Sequence, residues 1–316
     1  MFDKSQYKCK RLFHDEKFKN GFKVNRLLNG PEGYIPIGEW TYPGGTDNPS
    51  WILVQWYSKY CFLNDRKDTG SPYIIADNHD SKTVIYNPED GSLSMNLNAR
   101  KVYEGEAHTD PSMLWPHLLI EQVPICDYDN LSEEDKSFYR TDCDRLFLEL
   151  DIRMPKFENT TNPEGINACQ FMAYFYLTPI NMRNRKIWFG VNFLDSRYPA
   201  ATYWNIDTVG TEMIYCLSCE DTYSGLENSY YDTNNNNKVT PSDEWRHIEL
   251  DLTPHLDKAI ELANRDNTFG FKAERGDFFM HGNNLGFEIH GNFDCTFEIR
   301  NYNLVAYNKN EPILYK

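Results

Sequence analysis

Acidic side chains recur at alternate positions within short apolar segments of this chain. Residues 145–153 read RLFLELDIR, so Glu149 and Asp151 stand two residues apart. Successive side chains of a β-strand point to opposite faces, and both carboxylates then share one strand face, about 6–7 Å apart. At that separation one carboxyl group can act on an anomeric carbon while the other assists. The alternative is a solvated face on which Arg153 pairs with the acids.

Residues 115–122, WPHLLIEQ, alternate in the same way and place Trp115, His117 and Glu121 on one strand face. An indole, an imidazole and a carboxylate in a row suit a sugar site. Trp115 would stack on a ring, and His117 would exchange the proton because the reference pKa of imidazole lies near neutrality. Glu121 would orient His117 or act as the second carboxyl group. The alternative is a structural cluster in which the imidazole is simply hydrogen-bonded.

Other strand-like segments supply further candidates for binding and catalysis. The predicted substrate-binding partners are Gln170, Tyr174, Trp188 and Asn192. Gln170 would hydrogen-bond a hydroxyl or carboxylate of the substrate, and Trp188 would stack on a sugar ring. Glu288 and His290 also alternate on one face, as a candidate acid and base or as an ordinary surface hydrogen bond.

The segment 232–243, DTNNNNKVTPSD, carries oxygen-bearing side chains at the spacing of a calcium loop. Val239 stands at the position where EF-hand and dockerin loops have an apolar residue. The predicted cofactor is therefore calcium. Its predicted ligands are Asp232, Asn234, Asn236 and Asp243. Asn237 replaces the usual glycine and Asp243 is shorter than the usual glutamate, so the alternative is an Asn-rich hairpin loop.

The elements that must position these residues are mostly strands. Apolar and aromatic runs alternate with turn clusters rich in Gly, Pro and Asn. The predicted strands are 50–57, 83–86, 92–97, 114–122, 145–153, 168–178, 186–194, 211–217, 244–252, 285–290 and 295–307. Two helices are predicted, 132–139 with Ser132 as N-cap and 253–264 with Pro254 in the first turn.

This pattern predicts an all-β fold, an antiparallel jelly-roll β-sandwich with a few short helices in connecting loops. We expect residues 1–316 to form a single domain, with 1–49 as an N-terminal extension and long loop packed on it. The residues predicted to be buried between the sheets are Leu148, Leu150, Ile248, Leu250, Phe287 and Ile289.

The charge and composition of the chain indicate which kinds of partner it is unsuited to bind. The net charge is −15 and the pI is about 5.0, which argues against nucleic acid and against an anionic membrane surface. No run of 18 apolar residues is present to span a membrane. Residues 1–25 lack the apolar core of a secretory signal. The chain is expected to be cytoplasmic, or secreted if a leader peptide has been removed.

The segments 115–122, 149–153 and 285–291 resemble the concanavalin A-like lectin/glucanase superfamily of jelly rolls. Retaining glucanases of the laminarinase type carry Glu-x-Asp-x-x-Glu, whereas Met154 stands here at the last position. Jelly-roll polysaccharide lyases also resemble this chain. The resemblance implies a glycoside hydrolase or polysaccharide lyase acting on an oligo- or polysaccharide in a concave groove. The alternatives are a non-catalytic, lectin-like glycan-binding module and a structural protein without a sugar site.

If the 232–243 loop binds calcium, a chelator will lower the melting temperature of the protein, and Asp232→Ala will remove that sensitivity. A ligand that binds only the native state stabilises it by mass action. Thermal melting with excess calcium and with chelator measures the effect. Identical melting temperatures would favour the Asn-rich hairpin.

Overall fold

Strands make up most of the described chain. The computed structural model describes residues 2–27, 35–45, 48–62, 71–103, 115–161, 167–197, 201–206, 212–224, 229–232 and 238–309. The strands are β1 Tyr7–Arg11, β2 Phe22–Asn25, β3 Pro36–Trp40, β4 Trp51–Val54, β5 Tyr73–Ala76, β6 Lys82–Asn87, β7 Ser92–Asn98, β8 His117–Gln122, β9 Arg145–Asn159, β10 Ala168–Pro179, β11 Ile187–Asp195, β12 Tyr203–Ile206, β13 Met213–Leu217, β14 Tyr231–Asp232, β15 Lys238–Val239, β16 Ser242–Asp251, β17 Phe278–His290 and β18 Phe293–Lys309. The helices are α1 Ala99–Val102, α2 Glu133–Tyr139, α3 Cys219–Thr222 and α4 Thr253–Arg265.

The strands form two large sheets. The first has the order β16-β9-β18-β7-β6-β5, with β1 paired to the C-terminal part of β18. The second has the order β12-β13-β11-β10-β17-β8-β4-β2-β3. Strands from β7 to β10 alternate between the two sheets, as do β16, β17 and β18. This is the predicted jelly-roll β-sandwich, antiparallel except for the pairs β2–β4 and β11–β13.

The core lies between the sheets because each strand turns its apolar residues inward. Phe171 of the second sheet stacks on Phe297 of the first, with ring centroids 4.0 Å apart. Phe287 of β17 packs beside both rings. Five of the six predicted core residues are buried, and Leu250 is half-buried. Inward alternation on both sheets thus creates the apolar layer that fixes which side chains face outward.

The first 49 residues contribute to the sheets themselves. β1 extends the first sheet, and β2 and β3 extend the edge of the second sheet beyond β4. The predicted extension therefore supplies three of the described strands, β1, β2 and β3.

The described helices connect strands, as predicted. In α2, the Ser132 side chain accepts a hydrogen bond from the backbone N–H of Asp135, so this residue is the expected N-cap. Pro254 lies in the first turn of α4. None of the described helices is long and apolar enough to cross a membrane.

We expect Phe171→Ala to lower the free energy of unfolding by about 3–5 kcal/mol, because it leaves a cavity in the contact between the sheets. Phe271→Ala is the control, since Phe271 is 38% exposed. Its expected cost is about 1 kcal/mol or less. Urea unfolding of both variants measures the difference, and equal losses would contradict this core.

Candidate functional site

The face of the second sheet that points away from the core carries a row of polar side chains across four strands. In the pairing register, Glu288 of β17 lies opposite His117 of β8 on one side and opposite Gln170 of β10 on the other. Gln170 in turn lies opposite Asp195 of β11. Directly opposed residues point to the same face of a sheet. We call these four residues the polar row and this side of the sheet its outer face.

His117 and Glu288 form an ionisable pair within the row. The His117 Nε2 atom lies 3.4 Å from Glu288 Oε1, and Nδ1 lies 2.6 Å from the carbonyl oxygen of Trp115. Burial acts to raise the pKa of Glu288, but the charge and hydrogen bond of His117 outweigh it and lower the pKa below the ordinary value. Glu288 is therefore an ionised carboxylate at neutral pH.

At the other end of the row, Asp195 fixes the orientation of the Gln170 amide. Gln170 Nε2 donates to Asp195 Oδ2 at 2.9 Å. The Arg197 guanidinium donates to both oxygens of the same carboxylate, at 2.9 and 2.7 Å. Asp195 is 1% exposed. Its charge is thus balanced by a bidentate ion pair, and its role in the row is to hold Gln170.

A second polar group, the Glu121 cluster, lies further along β8 and comprises Glu121, Tyr176 and Asn284. The Tyr176 hydroxyl donates to Glu121 Oε1 at 2.6 Å and accepts from Asn284 Nδ2 at 3.0 Å. Burial raises the pKa of Glu121 to about 7, against the opposing hydrogen bond from Tyr176 and the charge of Lys186. The other oxygen, Oε2, is buried and has no hydrogen-bond partner in the described part of the chain.

The two polar groups are separate. Glu288 pairs with His117, and Glu121 stands four residues further along the same strand, opposite Asn284. At about 3.3 Å per residue, this offset is about 13 Å, more than the roughly 6.5–9.5 Å between the carboxyl groups of inverting glycosidases. The ladder positions between them hold Gly286 and Leu119, so an apolar strip lies between the groups.

Aromatic side chains flank the Glu121 cluster. The Trp188 ring packs against Tyr176 at 4.6 Å and against Tyr174 at 5.6 Å between centroids. Lys186 Nζ lies 4.5 Å from the Trp188 ring centroid, so a sugar stacking on that face would have to displace the ammonium group. Trp188 Nε1 and Asn192 Oδ1 are buried without hydrogen-bond partners among the described residues. Buried polar atoms of this kind require a water or ligand partner.

The structure brings most of the predicted site residues onto one surface. On the outer face lie His117, Glu121, Gln170, Tyr174, Trp188, Asn192 and Glu288. Trp115 precedes β8, which begins at His117 and not at residue 114 as predicted. The Trp115 ring instead packs against the buried ring of His290, with centroids 5.3 Å apart.

Glu149 and Asp151 do not join this surface. They lie on β9 in the first sheet, facing away from the core. Glu149 pairs with Lys4 and Arg11, and Asp151 pairs with Arg300 and His247. The apolar core separates these acids from the polar row, so the two predicted groups cannot form one site, and a catalytic role for Glu149 and Asp151 stays a prediction. The alternative of a charged outer face fits, although Arg153 pairs with Glu298 and not with these acids.

The predicted calcium ligands are only partly described. Asp232 ends β14, Asp243 lies in β16, and Asn234 and Asn236 fall outside the described residues. The described chain contains no group of three or more His, Cys, Asp or Glu side chains that could hold a metal ion. Calcium binding by this loop stays a prediction.

Sequence reasoning missed four contributors to the outer face. They are Tyr176, Asp195, Arg197 and Asn284. Tyr176 could have been found, because it continues the alternation of Gln170 and Tyr174 on one strand face. Asp195 follows a bulge in the pairing of β10 with β11, and this irregularity leaves no signature in the sequence.

No family model matches the sequence, and no curated protein matches it. Among solved structures, the chain is similar to endoglucanase cel12A from Rhodothermus marinus, with 10% identity, a TM-score of 0.38 and coverage of 82% of this chain and 99% of that one. It is also similar to a family 12 xyloglucanase from Bacillus licheniformis, with 9% identity, a TM-score of 0.40 and coverage of 82% and 94%.

A third similar structure is the xyloglucanase domain of NopAA, a type three effector from Sinorhizobium fredii, in complex with cellobiose. It has 8% identity, a TM-score of 0.37 and coverage of 85% of this chain and 99% of that one. At these TM-scores the likenesses carry no conclusion about activity, and the fold rests on the sheet order and register.

The buried carboxyl group of Glu121 makes stability depend on pH. Because its pKa rises from 4.5 to about 7 on folding, the native state keeps a proton that the unfolded state loses. The contribution of Glu121 to the free energy of unfolding is therefore greatest below pH 4.5. It falls by on the order of 2–4 kcal/mol as the pH rises toward 7.

We expect Glu121→Gln to remove most of that loss between pH 5 and pH 8. Glu249→Gln, at an exposed position of the first sheet, is the control and keeps the wild-type dependence. Chemical unfolding at pH 5 and pH 8 measures the change in the free energy of unfolding of each protein. A wild-type slope in Glu121→Gln would show that Glu121 is ionised throughout.

Proposed function

We propose that the protein is carbohydrate-active, that it binds an oligo- or polysaccharide on the outer face of the second sheet, and that it hydrolyses a glycosidic bond with Glu288 as the reacting carboxylate. The observation that carries the proposal is the polar row. It places an ionised carboxylate, an imidazole and an oriented amide side by side on one face.

The polar row has the chemistry that a glycosidic bond requires. An ionised carboxylate beside the anomeric carbon can take a proton from an attacking water or stabilise positive charge on the sugar ring. His117 is the group beside Glu288 that can exchange this proton, because imidazole titrates near neutrality. The Gln170 amide, held by Asp195, can hydrogen-bond a sugar hydroxyl.

The surroundings of the row suit the rest of a sugar. Its C–H faces are apolar enough to pack on the strip formed by Gly286 and Leu119 and on aromatic rings. The net charge of −15 favours neutral glycans over polyanions.

A non-catalytic glycan-binding module is the second candidate function. The observation that favours it is the neutral amide of Gln170 directly opposite Glu288. A polysaccharide lyase is a third candidate within the same site, with His117 moving the proton and Gln170 near the uronate carboxylate. The two reactions differ in product, since only a lyase generates an unsaturated uronate that absorbs ultraviolet light.

We expect Glu288→Gln to reduce glycan hydrolysis by about 10²–10⁴-fold, the usual contribution of an acid–base group, while glycan affinity changes by only a few-fold. A glycan array identifies the ligand, and release of reducing ends and of unsaturated product measures cleavage. Glu249→Gln on the first sheet is the control and is expected to retain wild-type rates. Binding without cleavage by the wild type would favour the glycan-binding module. If the wild type bound no glycan, the remaining alternative would be a structural protein without a sugar site.

Removal of the indole of Trp188 tests binding independently of cleavage. We expect Trp188→Ala to weaken glycan affinity by about 1–3 kcal/mol, the usual contribution of a well-packed aromatic contact. Calorimetric titration with the array-selected glycan measures the change. An unaltered dissociation constant would remove Trp188 from the binding surface.

A further inference from the structure

The cross-strand partner of Glu288 determines what chemistry the polar row can perform. Gln170 and Glu288 lie directly opposite each other on antiparallel strands β10 and β17. The Cβ atoms of such a pair are about 4.5–5.5 Å apart, and the two side chains have the same length. The two carboxyl groups of a retaining glycosidase are about 5–5.5 Å apart. The register thus places an amide and a carboxylate at neighbouring positions whose Cβ separation is close to the distance between the two carboxyl groups of a retaining site.

The other carboxylates described on this face cannot fill that place. Asp195 is 1% exposed and is bound on both oxygens by Arg197, with Gln170 between it and Glu288. Glu121 is offset by four residues along the strand and is bonded to Tyr176. Within the part of the chain that the structure describes, Glu288 has no carboxylate neighbour at the retaining distance.

We propose that Gln170 occupies the place of the second carboxylate of a retaining glycosidase, so that the wild-type protein forms no covalent glycosyl intermediate and the single substitution Gln170→Glu creates a site that does. The inference rests on the proposed function for its sugar chemistry. Its geometric part, the distance between positions 170 and 288, does not depend on any ligand.

The electrostatics of Glu288 agree with this assignment. It faces the imidazole of His117 from β8 and the neutral amide of Gln170 from β10, with the Asp195–Arg197 ion pair beyond. Burial, and to a smaller extent the charge of Glu288, raises the pKa values of the nearby Tyr174 and Tyr203, so both tyrosines are neutral. A carboxylate introduced opposite Glu288 would raise the pKa of one member of the pair, as like charges do. The pair would then share one proton, and the form with that proton on Glu288 supplies what a leaving group needs.

The reaction of the Gln170→Glu variant balances in two steps. In the first, the introduced carboxylate oxygen bonds to the anomeric carbon, the glycosidic C–O bond breaks, and Glu288 gives its proton to the departing oxygen. In the second, water bonds to the anomeric carbon, the ester C–O bond breaks, and Glu288 takes the proton of the water. The product retains its anomeric configuration.

The first experiment measures the geometry without a ligand. Carboxyl ¹³C NMR follows the titration of Glu288 in wild type, Gln170→Glu and Gln170→Met. We expect Glu288 and the introduced carboxyl group of Gln170→Glu to titrate as a coupled pair, with one pKa raised above that of Glu288 in the wild type, and we expect no such change in Gln170→Met, where no charge is added. An unshifted titration in Gln170→Glu would overturn the inference.

The second experiment traps the intermediate. Each protein is incubated with 2,4-dinitrophenyl 2-deoxy-2-fluoro-β-cellobioside and with the matching xylobioside, and intact mass and peptide mapping locate any adduct. We expect an adduct at position 170 of Gln170→Glu, none in wild type, and a gain of at least about tenfold in aryl glycoside turnover. A glycosyl adduct on the wild type would overturn the inference.

A double variant guards against loss of fold. Gln170→Glu places a carboxylate beside Asp195, so Gln170→Glu with Asp195→Asn exchanges the amide and the acid and keeps a hydrogen bond between the two positions. We expect this variant to show the same coupled titration and the same adduct. If it binds glycan as the wild type does and couples with Glu288 yet forms no adduct, the inference is wrong. Failure of the wild type to bind any glycan would instead remove the proposed function, while the titration still decides the geometry.

Discussion

The pairing register of β8, β17, β10 and β11 is the constraint on which the candidate site depends. Each strand alternates its side chains between the core and the outer face, so a slip of one residue would bury Glu288 and expose Phe287. The aromatic contact of Phe171 and Phe287 with Phe297 makes such a slip costly. The apolar core therefore fixes the position of the polar row, although no residue of the row belongs to the core.

The outer face also has a cost that a purely structural surface would avoid. Glu121, Asn192 and Asn284 are buried there, and burial of a polar group is unfavourable unless it is fully paired. Glu121 and Asn192 each keep a buried oxygen without a partner in the described chain. Destabilising arrangements of this kind are typical of sites that bind ligands. By contrast, Glu149 and Asp151 of the first sheet are paired with nearby cations.

Much of the fold could be predicted because alternation in strands is a local property. The segments around Leu148, Phe171 and Phe287 show it plainly, and their strands were located within a few residues except where they run longer than predicted. Short strands such as β3 and β12 were missed because they are only five and four residues long and are held in place by pairing with a neighbouring strand. The order of the strands in each sheet could not be predicted either, because contacts between segments distant in sequence determine it.

The site was predicted in part for the same reason. Alternation gave the shared faces of His117 with Glu121 and of Gln170 with Tyr174. It could not show that Gln170 opposes Glu288, which requires the register between strands more than 100 residues apart in sequence. Nor could alternation show that Glu149 and Asp151 lie on the other sheet, because a strand with a charged face has the same sequence pattern in either sheet.

The central claim is that a glycan lies on the outer face of the second sheet, over the polar row. A crystal structure of the protein with the oligosaccharide that it binds most tightly tests this claim most directly. The account predicts a sugar ring in hydrogen-bond contact with Glu288 and Gln170, with further rings over Leu119 and toward Trp188. A sugar bound to the first sheet, or one that leaves Glu288 without contact, would contradict it.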